Sequence, residues 1–154
     1  MKSTPARFKK LHHTAALEFY SIDTTLKTEL PLFISPVSAG FPSPSEDYVD
    51  LSLDLNKHLI KHPAATFYVR VKGDSMKGAG ICNGDVLIVD RALEPNDGCI
   101  VIGVINGEFT VKRIRMIKGE LFLVPENSAY PSLKITEEHD FKVWGVVSYV
   151  IHKT

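Results

Sequence analysis

The chain has 154 residues, of which 44% are hydrophobic, and its 18 basic residues balance 18 acidic ones for a formal net charge of zero. This length predicts one well-buried domain with an appendage and excludes two domains of ordinary size. A neutral chain lacks the positive surface of a protein that neutralises many phosphates, so direct binding to duplex DNA is not expected. No apolar run has the length of a secretory signal or a membrane span, and we expect a cytoplasmic protein without a membrane anchor.

The first 45 or so residues have a mixed basic, polar and proline-rich sequence. Their apolar positions keep neither a helical nor a strand period for long, which predicts an extended arm. Four lysine or arginine residues and the pair His12-His13 precede the first acidic residue, Glu18, and favour a solvated tail over a nucleic-acid arm. From Phe33 to Pro44, three prolines and one glycine disfavour a helix, so the backbone there should be accessible.

Two short helices are predicted next. Ser43-Pro44-Ser45-Glu46 has the residue types of a helix start with a capping box. A second helix is expected to begin after Asp54 as its cap and to end at His62, because Pro63 follows.

The rest of the chain is predicted to be mostly β. Six short runs are rich in β-branched and aromatic residues and are separated by glycine-containing turns: Phe67 to Val71, Val86 to Val89, Ile100 to Ile105, Phe109 to Ile117, Leu121 to Val124 and Phe141 to Ile151. Asn106-Gly107 is the strongest hairpin signal, because both positions of a type I′ turn need positive φ. Lys118-Gly119 predicts the next hairpin.

Ser75 is the first candidate for catalysis. It lies in Gly73-Asp74-Ser75-Met76, after a predicted strand and before a glycine-flanked turn, so its hydroxyl could project from a loop with backbone amides nearby. Serine close to glycine and aspartate is also common in turns that have no chemical role. The tetrapeptide alone leaves both interpretations open.

Lys112 is the candidate base. Strand alternation places it on the face of Thr110 and Ile114, which points inward, although a lysine stem can also pack on a core while its ammonium reaches water. An unperturbed lysine has a pKa of ~10.4, and burial could lower it by ~3 units, roughly 4 kcal/mol of differential interaction. A neutral Lys112 amine could then accept the proton of Ser75.

The bond between Ala39 and Gly40 is a candidate substrate within the same chain. These small residues would allow an extended peptide to enter a narrow cleft. An intramolecular reaction can reach effective molarities of ~10⁵ M or more, so even a slow Ser-Lys pair would suffice for one cut.

No metal and no cofactor are expected. His58 and His62 are four residues apart, but Leu59 stands where a zinc protease motif would have its glutamate. Cys82 and Cys99 lack metal-ligand spacing and should be small buried hydrophobes in a reducing compartment. Four aromatic residues are interpreted as core and turn residues, not as a base-stacking platform: Phe122, Tyr130, Phe141 and Trp144.

Several segments together carry a family resemblance. From about Pro31 to its end, the chain resembles the UmuD-type members of the LexA-like self-cleaving Ser-Lys peptidases. The segments that carry the resemblance are Ala39 to Pro44, Gly73 to Met76, Gly84 to Asp90, Gly107 to Lys112 and Asn127 to Tyr130.

This resemblance implies a LexA-like, β-rich peptidase fold with short helices and an extended N-terminal arm. It implies that residues 1–39 are an arm removed by self-cleavage, and that residues 40–154 are the peptidase and dimerisation domain. By the same resemblance Ser75 is the nucleophile, Lys112 the general base and Ala39–Gly40 the scissile bond. The backbone amides of Asp74, Ser75 and Met76 would form the oxyanion hole.

The family also implies partners. Its members dimerise, cleave themselves when a RecA filament on single-stranded DNA stimulates them after DNA damage, and then assist an error-prone Y-family DNA polymerase in translesion synthesis. Two alternatives are a LexA-like transcriptional repressor and a non-catalytic interaction scaffold. The first thirty residues are too few and too poorly patterned for a helix-turn-helix domain, which disfavours the repressor.

Overall fold

The fold is that of a computed structural model, which describes residues 9–13, 17–25, 29–33 and 49–154. The chain divides into two compact units, one formed by residues 1–23 and 62–154 and the other by residues 24–61. The prediction of a mostly β protein is confirmed.

The larger unit contains one antiparallel sheet. In the part of this unit that the structure describes, nine strands pair in the order β1-β2-β5-β6-β11-β7-β8-β9-β10. Their bounds are β1 Lys10–His13, β2 Leu17–Ser21, β5 Thr66–Val71, β6 Val86–Asp90, β7 Ile100–Ile105, β8 Glu108–Ile117, β9 Glu120–Val124, β10 Leu133–Lys134 and β11 Phe141–Ile151. The six predicted strands are confirmed with ends within one residue.

Both predicted hairpins are confirmed. Asn106 and Gly107 connect β7 to β8 with φ of 49° and 82°, and Lys118 and Gly119 connect β8 to β9 with φ of 52° and 80°. Positive φ at both positions matches the right-handed twist of the flanking strands. These turns fix the register of β8, in which Lys112 is paired with Val101 of β7.

Strand alternation divides the buried side chains of the sheet between two clusters. Ile102 of β7 and Val111 of β8 belong to a large cluster that also includes Met76, while Val101 and Ile114 belong to a smaller one. Neighbouring residues of β7 therefore pack on opposite faces, as the period of a strand requires.

The segment predicted to be an extended arm contributes two strands to this sheet. β2 pairs with β5, with Leu17 opposite Val71, and the side chains of Leu17 and Phe19 are only 1% and 3% exposed. The Phe19 ring lies 4.6 Å from Phe109 and 5.0 Å from Trp144 between ring centroids. The sequence analysis missed β2 because alternation over five residues is too short to distinguish a strand from an irregular segment.

The smaller unit contains a hairpin and a short helix. β3, Glu29–Phe33, pairs with β4, Val49–Asp54, and α1 spans Leu55–Leu59. Asp54 caps α1 as predicted, since its Oδ1 accepts the N–H of Asn56 at 3.0 Å. The helix ends at Leu59, earlier than the predicted His62, because Ile60 already has an extended backbone. The helix predicted at Ser43 to Glu46 lies outside the described residues.

Candidate active site

Ser75 lies in the turn that follows β5. Gly73 enters this turn with a φ of 96°, which favours glycine, and its N–H donates to Oδ1 of Asn83 at 2.9 Å. Met76 is 2% exposed and belongs to the large core cluster. The turn is therefore fixed on both sides of the half-buried Ser75.

The loop of residues 126–130 holds this turn through three hydrogen bonds to its backbone. The Glu126 N–H donates to the Ser75 carbonyl at 2.9 Å, and the Gly78 N–H donates to the Glu126 carbonyl at 2.7 Å. The side-chain amide of Asn127 donates to the Asp74 carbonyl at 3.0 Å. Three hydrogen bonds thus place the Ser75 backbone relative to one loop.

Tyr130 adds a side-chain contact to the same turn. Its hydroxyl donates to Oδ1 of Asp74 at 2.7 Å. Because the phenol donates to the carboxylate of Asp74 and lies beside its charge, the pKa of Tyr130 is raised above its ordinary value. Asp74 is therefore held by two residues of the 126–130 loop, Asn127 and Tyr130.

Lys112 lies on β8 and reaches Ser75. Its Nζ is 3.3 Å from the Oγ of Ser75, 2.9 Å from the Oγ1 of Thr110 and 2.9 Å from the carbonyl oxygen of Val111. Burial disfavours the ammonium, so the pKa of Lys112 is lowered from its ordinary value of 10.5. The structure therefore brings together the two side chains that were predicted to act together.

The three oxygens around Nζ can accept from an ammonium, which has three N–H groups, and they also suit a neutral amine. In the neutral form, two N–H groups can donate to the Thr110 hydroxyl and the Val111 carbonyl, and the lone pair can accept the proton of the Ser75 hydroxyl. At 3.3 Å, the Lys112 nitrogen and the Ser75 oxygen lie within hydrogen-bonding distance. The arrangement can move a proton from the serine to the lysine.

Backbone N–H groups beside Ser75 are available for an oxyanion. In the described turns and loops, no backbone hydrogen bond uses the N–H of Asp74, Ser75 or Met76 as its donor. Donors of this kind stabilise the negative charge that develops during acyl transfer.

A cleft of ≈ 230 Å³ lies next to Lys112. Its lining is mainly apolar, with Phe109 and Leu123 from β8 and β9 and with Pro131 and Leu133 from the segment that follows the 126–130 loop. Clefts that bind ligands are commonly lined by apolar side chains with a few polar groups. The predicted scissile residues, Ala39 and Gly40, lie outside the described residues.

Sequence analysis missed the residues that position the pair. Gly78 is required because a Cβ built there would lie 2.5 Å from the Glu126 carbonyl oxygen. Thr110 could have been found, since alternation already placed it on the face of Lys112. The hydrogen bond from the Glu126 N–H to the Ser75 carbonyl could not have been predicted, because it joins residues 51 positions apart in the chain.

The other candidates have different environments. Nδ1 of His62 lies 2.6 Å from a carboxylate oxygen of Asp90. Trp144 packs among aromatic rings of the core, as predicted. Both cysteines are free thiols of intermediate exposure. Within the described ranges, no helix is both long and apolar enough to cross a membrane.

Comparison with known proteins places this site in a family. The chain belongs to the Peptidase S24-like family, whose model matches residues 31–148. It is 48% identical to Protein SamA of Salmonella typhimurium (strain LT2), over 84% of this chain and 89% of that protein. It is 47% identical to Protein ImpA of Escherichia coli over 80% and 84% of the two chains. For Protein MucA of Escherichia coli the identity is 40%, over 78% and 82%.

These matches confirm the resemblance to the UmuD-type members of the LexA-like peptidases. They also confirm the predicted class of function, a self-cleaving serine peptidase of SOS mutagenesis.

Proposed function

We propose that Ser75 and Lys112 are the nucleophile and general base of a peptidase that cuts its own chain once, between Ala39 and Gly40. The observation that carries this proposal is the 3.3 Å distance between Lys112 Nζ and Ser75 Oγ in a site where burial lowers the lysine pKa. The proposed products are an arm of residues 1–39 and a peptidase and dimerisation domain of residues 40–154.

The first half of the reaction is acyl transfer to Ser75. Neutral Lys112 takes the hydroxyl proton as Oγ attacks the carbonyl carbon of Ala39, and the amides of Asp74, Ser75 and Met76 stabilise the oxyanion. The ammonium of Lys112 then gives its proton to the leaving amine of Gly40, which breaks the peptide bond.

The second half is hydrolysis of the resulting ester. Lys112, neutral again, takes a proton from a water molecule that attacks the same carbonyl carbon. The ester bond to Ser75 breaks, and Oγ regains a proton from Lys112. The sum of the two halves is the hydrolysis of one peptide bond with the enzyme residues unchanged.

Slow self-cleavage at alkaline pH tests these roles. We expect a fragment that begins at Gly40, identified by mass spectrometry, and expect Ser75→Ala or Lys112→Ala to abolish it. Lys142→Ala, at an exposed position of β11, is the matched control and should cleave like the wild type. Normal cleavage in either active-site variant would contradict the assignment.

The proposed cellular role follows from the family. We propose that the protein is a cytoplasmic homodimer whose cleavage is stimulated by a RecA filament on single-stranded DNA, and whose shortened form binds a Y-family polymerase subunit for translesion synthesis. The formal charge of zero supports recruitment by proteins instead of direct binding to duplex DNA. In the assay above, activated RecA should accelerate appearance of the Gly40 fragment at neutral pH, and an unchanged rate would remove RecA from the proposal.

A further inference from the structure

A second cluster of reactive side chains lies outside the proposed active site. Cys82 and Asp85 belong to the turn before β6, and His152 follows directly after β11. One sulfur, one carboxylate oxygen and one ring nitrogen of these residues all lie within 4.8 Å of one another. The pairing of β6 with β11 brings His152 to this turn, since Val86 is opposite Ile151.

The carboxylate of Asp85 is the centre of the cluster. Asp85 is only 4% exposed, its Oδ2 accepts the N–H of Cys82 at 2.7 Å, and its Oδ1 lies 2.7 Å from Nδ1 of His152. A buried carboxylate needs a cation or strong donors around it. Here the partly exposed imidazole of His152 is the group that faces Oδ1.

We propose that Cys82, Asp85 and His152 bind a zinc ion. Thiolate, imidazole and carboxylate are the three kinds of ligand that zinc takes in proteins, and three protein ligands leave a fourth tetrahedral position for water. The thiolate makes the site unsuitable for magnesium or calcium, which prefer oxygen ligands.

Binding an ion requires adjustment in two directions: ligand atoms that are up to 4.8 Å apart must approach, and the hydrogen-bonded pair of Asp85 and His152 must separate. Metal–ligand distances of about 2.0–2.3 Å at tetrahedral angles separate ligand atoms by roughly 3.3–3.7 Å. The hydrogen bond between His152 and Asp85 would therefore open by less than ~1 Å as the ion replaces its proton. His152 has a half-exposed side chain and can make this movement, while Oδ2 of Asp85 keeps its bond to the Cys82 N–H.

None of the three proposed ligands takes part in the proposed reaction. Cys82 and His152 are 70 positions apart, so no spacing motif in the sequence could reveal the site. A bound ion would tie the turn of residues 82–85 to the C-terminal residues. Its presence or absence can be measured whether or not the chain cleaves itself.

Cobalt substitution gives the sharpest test, because a thiolate bound to Co²⁺ produces a sulfur-to-metal charge-transfer band. Full-length protein without an affinity tag is titrated with Co²⁺, and the band should saturate at one ion per chain. Cys82→Ser should abolish it, whereas the matched control Cys99→Ser should retain it. The absence of any band, or its loss only in Cys99→Ser, would overturn the proposal.

Zinc binding provides a second measurement. Zn²⁺ should displace Co²⁺ and raise the thermal midpoint of unfolding, and His152→Ala should weaken Zn²⁺ binding about tenfold or more. His139→Ala is the control histidine variant, since that residue binds Thr136 and lies outside the cluster. Equal Zn²⁺ affinity in wild type and His152→Ala, with both folded by circular dichroism, would also overturn the proposal.

Discussion

At the scale of single residues, the main feature is the environment of the Lys112 amine. Thr110 and Val111 supply two hydrogen-bond acceptors at 2.9 Å, and both belong to the same strand as the lysine. The nitrogen is therefore oriented by its own strand before any substrate arrives. Preorganisation of this kind lowers the cost of aligning a base with its nucleophile.

The pH dependence of self-cleavage should report the Lys112 pKa. Burial makes the folded chain hold this proton less tightly than an unfolded chain, whose lysine has a pKa of 10.5. As the pH rises through the lowered pKa the neutral amine accumulates, so the cleavage rate should rise and level off below pH 10.5. The measurement is the first-order rate of fragment formation across alkaline pH.

The same shift predicts the direction of a stability change. Between the lowered pKa and 10.5 the unfolded chain binds more protons at this position, so the contribution of Lys112 to the free energy of unfolding rises with pH there.

For the cleavage reaction itself, a rate that stays flat across this pH range would show that a group other than Lys112 limits the reaction.

At the scale of elements, strand β8 supports both halves of the proposed site. Lys112 reaches Ser75 directly, while the next residue, Arg113, pairs through its Nε with the carboxylate of Glu126 and donates to the Gly98 carbonyl at 2.6 Å. Glu126 in turn holds the Ser75 backbone. One strand therefore sets the position of the base and, through the 126–130 loop, that of the nucleophile.

Gly78→Ala tests this indirect support. A Cβ at residue 78 would lie 2.5 Å from the Glu126 carbonyl oxygen, so the turn or the loop must move. A displacement of about 1 Å at the nucleophile should lower the cleavage rate about tenfold to a hundredfold. The rate is measured at alkaline pH, as for the wild type.

Gly80→Ala serves as the control for that variant. A Cβ there meets no atom within 4 Å, but the φ of 75° makes alanine unfavourable by about 1–2 kcal/mol. It should therefore reduce stability while its folded fraction cleaves normally. Equal loss of cleavage in both variants would show that general destabilisation, not the Glu126 contact, is responsible.

At the scale of the whole molecule, local chemistry explains which parts of the fold could be predicted. Asn106-Gly107 and the β-branched runs determine their own conformations, so β5 to β9 and β11 followed from the sequence. β2 becomes a strand only because β5 offers a partner and the aromatic core accepts Phe19. Such tertiary effects are not visible in a short segment.

In the proposed site too, some residues could be predicted from the sequence and others could be found only from the fold. Ser75 and Lys112 stand in segments of distinctive composition and could be named in advance. Gly78 and Glu126 form a backbone contact across the fold, which no local pattern encodes.

Phe19→Ala tests whether the N-terminal segment belongs to the core. Phe19 is 3% exposed and contacts the rings of Phe109 and Trp144, so the truncation should reduce the free energy of unfolding by about 3–5 kcal/mol. Trp144 is the chain's one tryptophan, and its fluorescence in a urea titration provides the measurement. Leu11→Ala, at a position 49% exposed, is the control and should change little. A small effect of Phe19→Ala would place β2 outside the cooperative unit.

Because side chains of β2 are buried in the protein, cleavage of the chain and release of the N-terminal segment would be two separate events. A cut between Ala39 and Gly40 breaks one covalent bond, yet Leu17 and Phe19 lie upstream of it with their side chains inside the protein. The excised peptide would remain as a non-covalent ligand until it dissociates, and its departure would leave β5 as a bare sheet edge beside an aromatic pocket. The lifetime of that nicked complex, and not the hydrolysis itself, would then decide when the processed form becomes available to another protein.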